Sequence, residues 1–149
     1  MERVVEPELM EDEVQAKAYA EADFEAPHSY MIDVFQQRFP DFKGEGYCVD
    51  LGCGPADIAI RLAQTYDSLS VHGVDGSEAM LGLGRARLGE LELGERVALF
   101  NSYLPDVRLP RDSYDLLVSN SLLHHLHRPE VLWQTVRKLG RSGSRVFIV

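Results

Sequence analysis

Val49-Asp50-Leu51-Gly52-Cys53-Gly54-Pro55-Ala56-Asp57 decides the fold. A short apolar run from Tyr47 to Leu51 passes directly into two glycines one residue apart, and helix-compatible residues follow. Glycines so spaced allow a tight turn and let the backbone approach a ligand closely. The stretch therefore reads as strand, turn, helix. The same alternation continues on both sides of it. Upstream, residues 8–22 and 28–39 read as helices, the second with Met31, Ile32, Val34, Phe35 and Phe39 at a period near about 3.6 and Pro40 as its stop. Downstream, residues 56–66 read as a helix and Ser70 to Asp75 as a strand, after which Ser77 can cap a helix running to about residue 90. Val97 to Phe100 and Tyr114 to Asn120 read as strands, Pro129 opens a helix to Leu139, Gly143 ends the turn after it, and Arg145 to Val149 is a fifth strand. Strands alternating with helices imply βαβ units, a mainly parallel sheet and, with right-handed crossovers, a doubly wound α/β fold. Ligands in such sheets sit beyond the carboxyl ends of the strands, so the strand ends are where function is sought.

The first strand end already excludes two ligand classes. A dinucleotide loop needs a third glycine where Asp57 stands, and a carboxylate there would face a pyrophosphate at a helix N-terminus. No Gly-Lys-Ser or Gly-Lys-Thr follows, so there is no P-loop. The turn approaches a ligand, but one that is not rich in phosphate. The glycines at 82, 84, 89 and 94 lie within or just after a helical pattern rather than at a strand end, and no ligand is assigned to them.

Val49 to Pro55 resembles the first motif of class I S-adenosylmethionine-dependent methyltransferases. The resemblance implies a Rossmann-like core of about five strands in the order 3-2-1-4-5 with helices on both faces. It implies that Asp50 interacts with the amino group of the cofactor's methionine part, while Gly52, Cys53 and Gly54 offer backbone groups. An anionic site suits a ligand carrying an ammonium and a sulfonium. Ala56 departs from the pattern, since many relatives have a third glycine there.

The later strand ends carry the resemblance further. Asp75 can accept hydrogen bonds from both ribose hydroxyls, with Gly76, Ser77 and Met80 beside the adenosine, although Asp75 also reads as a simple helix-capping acid. Relatives often have Gly-Asp after the third strand, where this chain has Asn101-Ser102; the Asn101 amide oxygen or the Ser102 hydroxyl can accept the adenine amino group instead, and Ser102 and Tyr103 read equally as loop. Asn120 at the fourth strand tip would line the cofactor or transfer site. It is not followed by the Asn-Pro-Pro-Tyr type motif of enzymes that methylate adenine or glutamine, so the resemblance points to a small-molecule methyl acceptor. His124, His125 and His127 lack a fourth ligand at recognisable spacing, and no metal is expected. His125 is the candidate base, with packing or substrate shaping as its alternative. Methyl transfer from a sulfonium can rest mainly on orientation, so a missing catalytic pair does not weigh against the reading.

Composition bounds the rest. The 149 residues suit one domain, and the hydrophobic fraction of 45% is ordinary for a globular chain. Residues 1–26 hold nine acids and two bases, so they carry -7 of the net charge of -9 and read as a helical lid segment preceding a core at 27–149. Tyr19, Phe24 and His28 are the residues expected to close over the cofactor. No basic stripe suggests nucleic acid, no apolar run suggests a membrane, and two cysteines make no disulfide framework, so a reducing cytoplasm is expected. Complete relatives continue beyond the fifth strand. The core is therefore expected to lack its usual last strands, leaving Val146 to Val149 at a sheet edge where a second copy could pair. A methyltransferase using S-adenosylmethionine and releasing S-adenosylhomocysteine is the leading expectation. A non-catalytic cofactor-binding scaffold completed by a partner is the alternative, and a nicotinamide-dependent oxidoreductase is disfavoured by Asp57.

Overall fold

The structure, a computed structural model, describes residues 4–5 and 12–149. Two helices, α1 (Glu13–Glu21) and α2 (Glu25–Arg38), precede β1 (Gly46–Leu51), α3 (Asp57–Thr65), β2 (Leu69–Asp75), α4 (Glu78–Glu90) and β3 (Val97–Asn101). Then come β4 (Tyr114–Ser119), a 3-10 turn at Leu123–His125, α5 (Glu130–Leu139) and β5 (Gly140–Ile148). The five strands form one sheet in the order β3-β2-β1-β4-β5, with every neighbouring pair parallel. This is the doubly wound arrangement expected from the alternation of elements. Among the described residues no helix is long and apolar enough to cross a membrane.

Alternation along the strands divides the core between two faces. Cys48, Leu116 and Val118 pack with α2, α3 and α4 on one face, while Val49, Leu51 and Leu117 pack with Leu132 and Leu139 of α5 on the other. Leu116, Leu117 and Val118 of β4 are buried on both faces of the sheet, which is why they form an apolar run rather than an alternation.

Three boundaries differ from expectation. The first helix begins at Glu13, where Asp12 accepts from the Val14 and Gln15 N–H groups; the expected start at residue 8 lies outside the described residues. α2 begins three residues before the expected 28, because Asp23 accepts from the Glu25 N–H and Pro27 is tolerated in a first helical turn. β5 begins at Gly140, before the expected Arg145. Its register against β4 jumps from Gly140 opposite Tyr114 to Arg145 opposite Leu116, and the intervening bulge carries Gly143 at a φ of 84°. The expected turn at Gly143 is thus a bulge inside the strand. Ser77 caps α4 as expected, accepting from the Met80 N–H at 3.2 Å.

α2 holds the position that matters most for the site. Its buried residues His28, Met31, Ile32 and Phe35 are spaced as one helical stripe. Phe35 anchors the stripe, with ring centroids 5.2 Å from Phe39, 5.5 Å from Phe42 and 5.6 Å from Phe147 on β5. At the stripe's other end His28 faces inward at the strand tips. Gly84 also has a packing role: a β-carbon there would lie 3.1 Å from the Pro55 carbonyl oxygen, so the residue lets α4 approach the turn after β1.

Candidate functional site

The turn after β1 is built by backbone groups of β2. The Gly52 and Cys53 N–H groups both donate to the Val74 carbonyl, at 2.8 and 3.0 Å. Gly52 and Gly54 have φ of 77° and 53°, a region that favours glycine. Ala56 shares that conformation with a φ of 68° and is fully buried. A methyl group in left-handed backbone costs about 1–2 kcal/mol. Ala56→Gly is therefore expected to stabilise the chain by about 1 kcal/mol, read as a higher urea midpoint with an unchanged slope; an unchanged midpoint would show that the strain is relieved elsewhere.

Asp75 ties three strand ends together. Its carboxylate accepts from the Gly54 N–H at 2.9 Å and the Ser77 N–H at 2.8 Å, and its carbonyl accepts from the Ser102 N–H at 3.0 Å and the Asn101 amide at 3.4 Å. Each carboxylate oxygen keeps a second acceptor direction. Ser102 donates its hydroxyl to the Asp106 carbonyl, and Asn101 keeps its amide oxygen as an acceptor. A hollow of about 270 Å³ opens beside these two residues, lined also by Phe100, Val107 and Leu109. Gly76 is half-buried beside Asp75, and Met80 is buried with its terminal methyl 3.4 Å from where a β-carbon on Gly54 would stand.

Gly54, which donates to Asp75, also lines a cavity of about 300 Å³. Asp50, Gly52, Cys53, Gly54 and Asn120 line it, together with Tyr19, Phe24, His28, Asp57, Arg61 and Arg87. α1 lies against α4, so Tyr19 comes close enough to Asp75 and Asp57 that burial and then their charges raise its hydroxyl above the ordinary tyrosine range. Cys53 is buried, and burial together with the nearby acids pushes its thiol well up, so it is not a thiolate nucleophile.

Two of the carboxylates lining this cavity, Asp57 and Asp50, are in opposite electrostatic states. Asp57 is fully engaged: it accepts from His28 Nδ1 at 2.6 Å, Arg61 Nε at 2.7 Å and an Arg87 guanidinium nitrogen at 2.6 Å. Burial alone would raise its carboxyl, but these three donors outweigh it and hold Asp57 well below the usual carboxylate range. Asp50 is the opposite case. It is 1% exposed, its Oδ2 has no partner, and burial followed by the charge of Asp75 pushes its carboxyl up to about 7 against a hydrogen bond from the Ala59 backbone. A buried, unpartnered carboxylate oxygen bordering a cavity is a site for a cation. The ammonium and sulfonium of S-adenosylmethionine fit that requirement.

His28, 8% exposed, is stacked on Phe24 at a centroid distance of 5.0 Å. A carboxylate can only accept, so Nδ1 carries the proton toward Asp57; Nε2 is left to accept, and the Asn120 amide lies 3.4 Å from it. His28 and Asn120, with Tyr19 and Phe24, also line a second cavity of about 460 Å³, walled by Pro27, Tyr30, Met31, Val34 and Phe147. None of the described residues lining it is Lys, Arg, Asp or Glu. The two cavities thus share a wall, one polar and acidic, the other apolar.

The expected site residues gather at the ends of β1 to β4, with one exception. His125 lies in the 3-10 turn with its ring 4.1 Å from that of His124, and it lines neither cavity. Among the described residues no group of three or more His, Cys, Asp or Glu is placed to hold a metal. The Asp57–His28 contact and the two arginines on Asp57 were not foreseen. Asp57 and Arg61 stand four apart at the start of a helix, a spacing that signals a pair, but His28 is 29 residues distant and no periodicity connects it.

Fold and site together define a parallel α/β protein with an acidic cavity at the carboxyl ends of its strands. The sequence profile of a family described as a methyltransferase domain matches residues 48–143, and the chain belongs to that family. It is 30% identical over 112 residues to phosphoethanolamine N-methyltransferase 2 of Caenorhabditis elegans, covering 75% of this chain and 25% of that protein. It is 36% identical over 87 residues to trans-aconitate 2-methyltransferase of Delftia acidovorans, covering 58% and 31%. The chain therefore spans less than a third of either relative's length. A solved structure from Methanococcus maripaludis, provisionally described as an S-adenosyl-L-methionine-dependent methyltransferase, superimposes with a TM-score of 0.84 at 21% identity, over 99% of this chain and 66% of that one.

Proposed function

We propose that this chain binds S-adenosylmethionine and transfers its methyl group to a small-molecule acceptor. The observation that carries the reading is the unpartnered Asp50 oxygen bordering the acidic cavity. In this reading Asp50 faces the ammonium, Gly52 to Gly54 present backbone groups, and Asp75 receives the ribose hydroxyls. Asn101 and Ser102 border the adenine, with Gly76, Ser77 and Met80 beside it. S-adenosylmethionine supplies an electrophilic methyl group on a leaving sulfur, so the protein's task is chiefly to align donor and acceptor. The acceptor occupies the apolar cavity across the shared wall, and α1 with Tyr19 and Phe24 acts as the lid. The C. elegans and D. acidovorans relatives are named for acceptors bearing phosphate or carboxylates. The apolar cavity here offers no cation to such groups among its described residues, which favours a neutral acceptor. The family match does not favour the scaffold alternative.

Calorimetric titration with S-adenosylhomocysteine tests the reading. Micromolar binding is expected, weakened by about 10- to 100-fold in Asp75→Ala, which removes acceptors for two hydroxyls. A folded chain that binds neither S-adenosylmethionine nor S-adenosylhomocysteine would defeat it.

A further inference from the structure

We propose that His28, oriented by Asp57, takes the proton from a neutral acceptor bound in the apolar cavity, so that the acceptor is a hydrophobic molecule bearing one protic nucleophile such as a phenol. The proposal rests on the methyltransferase reading and adds to it a base and an acceptor class. Three observations converge on it. First, a 2.6 Å contact with a carboxylate fixes the ring orientation and turns the Nδ1 proton toward Asp57, leaving Nε2 as the acceptor nitrogen, met by the Asn120 amide only at a long 3.4 Å that a protic acceptor can displace. Second, Asp57 is itself locked by Arg61 and Arg87, so the ring has a rigid support rather than a mobile one. Third, His28 and Asn120 stand in the wall between the acidic and apolar cavities, where donor and acceptor would meet.

The chemistry requires such a base only for a protic acceptor. A carboxylate acceptor arrives already ionised, whereas a phenol must lose its proton as its oxygen bonds to carbon. In that step the O–H bond breaks and its proton goes to His28 Nε2. The oxygen's electron pair forms the bond to the methyl carbon, and the carbon–sulfur pair remains on the departing thioether. The imidazolium so formed faces Asp57 and afterwards releases its proton to water. Aromatic and aliphatic walls from Phe24, Tyr30, Met31 and Phe147 suit a planar apolar body. His28 is thus assigned as a catalytic residue and Asp57 as a positioning residue.

The probe is 4-nitrophenol, whose ionised form absorbs visible light, titrated into the whole chain saturated with S-adenosylhomocysteine at a pH below the phenol's own ionisation. The wild-type chain is expected to bind it and generate the phenolate band. His28→Gln is expected to bind it within about threefold by calorimetry while the ionised fraction falls by about 10-fold or more. In His28→Ala, added imidazole is expected to restore the band, which a merely structural role would not produce. The proposal is overturned if the wild-type chain binds the phenol and leaves it neutral, if His28→Gln ionises it equally, or if a chain that binds S-adenosylhomocysteine does not bind the phenol. Failure to bind S-adenosylhomocysteine at all would instead defeat the methyltransferase reading, and this proposal with it.

Discussion

Asp50→Asn is expected to make the free chain more stable and a much poorer binder of S-adenosylmethionine. The Asp50 carboxyl is pushed from its ordinary 3.8 to about 7, first by burial and then by the charge of Asp75. Its folded value therefore lies above its unfolded value, and the folded chain holds the proton more tightly. Stability is then greatest at low pH, falls as pH rises through the interval from about 4 to about 7, and is level above it. At about 1.4 kcal/mol for each tenfold change, ionised Asp50 costs on the order of 4 kcal/mol at pH 8. Asparagine reproduces the neutral, protonated form and can still accept from the Ala59 backbone. The difference between variant and wild type should thus be small near pH 4 and grow to a rise in melting temperature on the order of 10 °C at pH 8. Binding should move the other way. A cation next to a buried carboxylate gains about 1.5–3 kcal/mol from a charged hydrogen bond, so Asp50→Asn should lose about 10- to 100-fold in affinity. Wild-type affinity should climb with pH up to about 7 and then level, while the variant's should be flat. Melting curves and calorimetry at pH 5, 6, 7 and 8 check both halves. Equal melting temperatures at pH 8 would show that Asp50 is not held ionised against its surroundings. Instability of this kind is characteristic of residues kept for a ligand rather than for the fold.

The sheet and most of its helices were legible because their signals are local. β1 to β4 announce themselves as apolar runs ending in turn residues, and the order of elements leaves few topologies open. The start of α2 was not legible, since Pro27 looks like a helix boundary until Asp23 is seen accepting the first N–H group. The bulge in β5 was misread as a turn because Gly143 signals left-handed backbone without saying whether the strand resumes on both sides. The site divides in the same way. Asp50 and Asp75 stand near the ends of β1 and β2, and the resemblance of those stretches to methyltransferase motifs singles them out. Asp57 could be named only negatively, as a group that repels phosphate. That it joins α2, α3 and α4 through His28, Arg61 and Arg87 depends on packing across 29 and 30 residues of chain, which spacing does not encode. A histidine beside a strand end, such as His125, is visible in sequence, whereas His28, at the end of a buried helical stripe, looks like core.

Asp57→Asn is expected to act on stability with the opposite sign and the opposite pH dependence. The wild-type carboxylate, with a side chain 15% exposed, accepts from three donors that an amide would satisfy poorly. Arg61 would keep Glu25 and Ser29, but His28 would lose the acceptor that sets its tautomer, and α2, α3 and α4 would lose their shared tie. Breaking a buried ion pair costs about 3–5 kcal/mol, and because Arg87 is 45% exposed solvent screening discounts this, so a loss of about 2–3 kcal/mol is expected at neutral pH. The folded value of Asp57 lies below its unfolded one. Its contribution is therefore present above about pH 4 and disappears as pH falls through the acid range. Wild type and Asp57→Asn should begin to approach each other only as the pH falls below about 4 and continue to do so well below 3, whereas wild type and Asp50→Asn should diverge as the pH is raised from 5 to 8. A urea denaturation series for the three proteins at about pH 2.5, 5.5 and 8 separates the two behaviours. If Asp57→Asn proved as stable as wild type at pH 8, the carboxylate would not be the tie between the helices, and the rigid support that His28 needs as a base would be gone. If instead the loss appears with the predicted pH dependence, the two acids of one cavity have divided the work: Asp57 holds the wall of the site together, and Asp50 is left unsatisfied until a cation arrives.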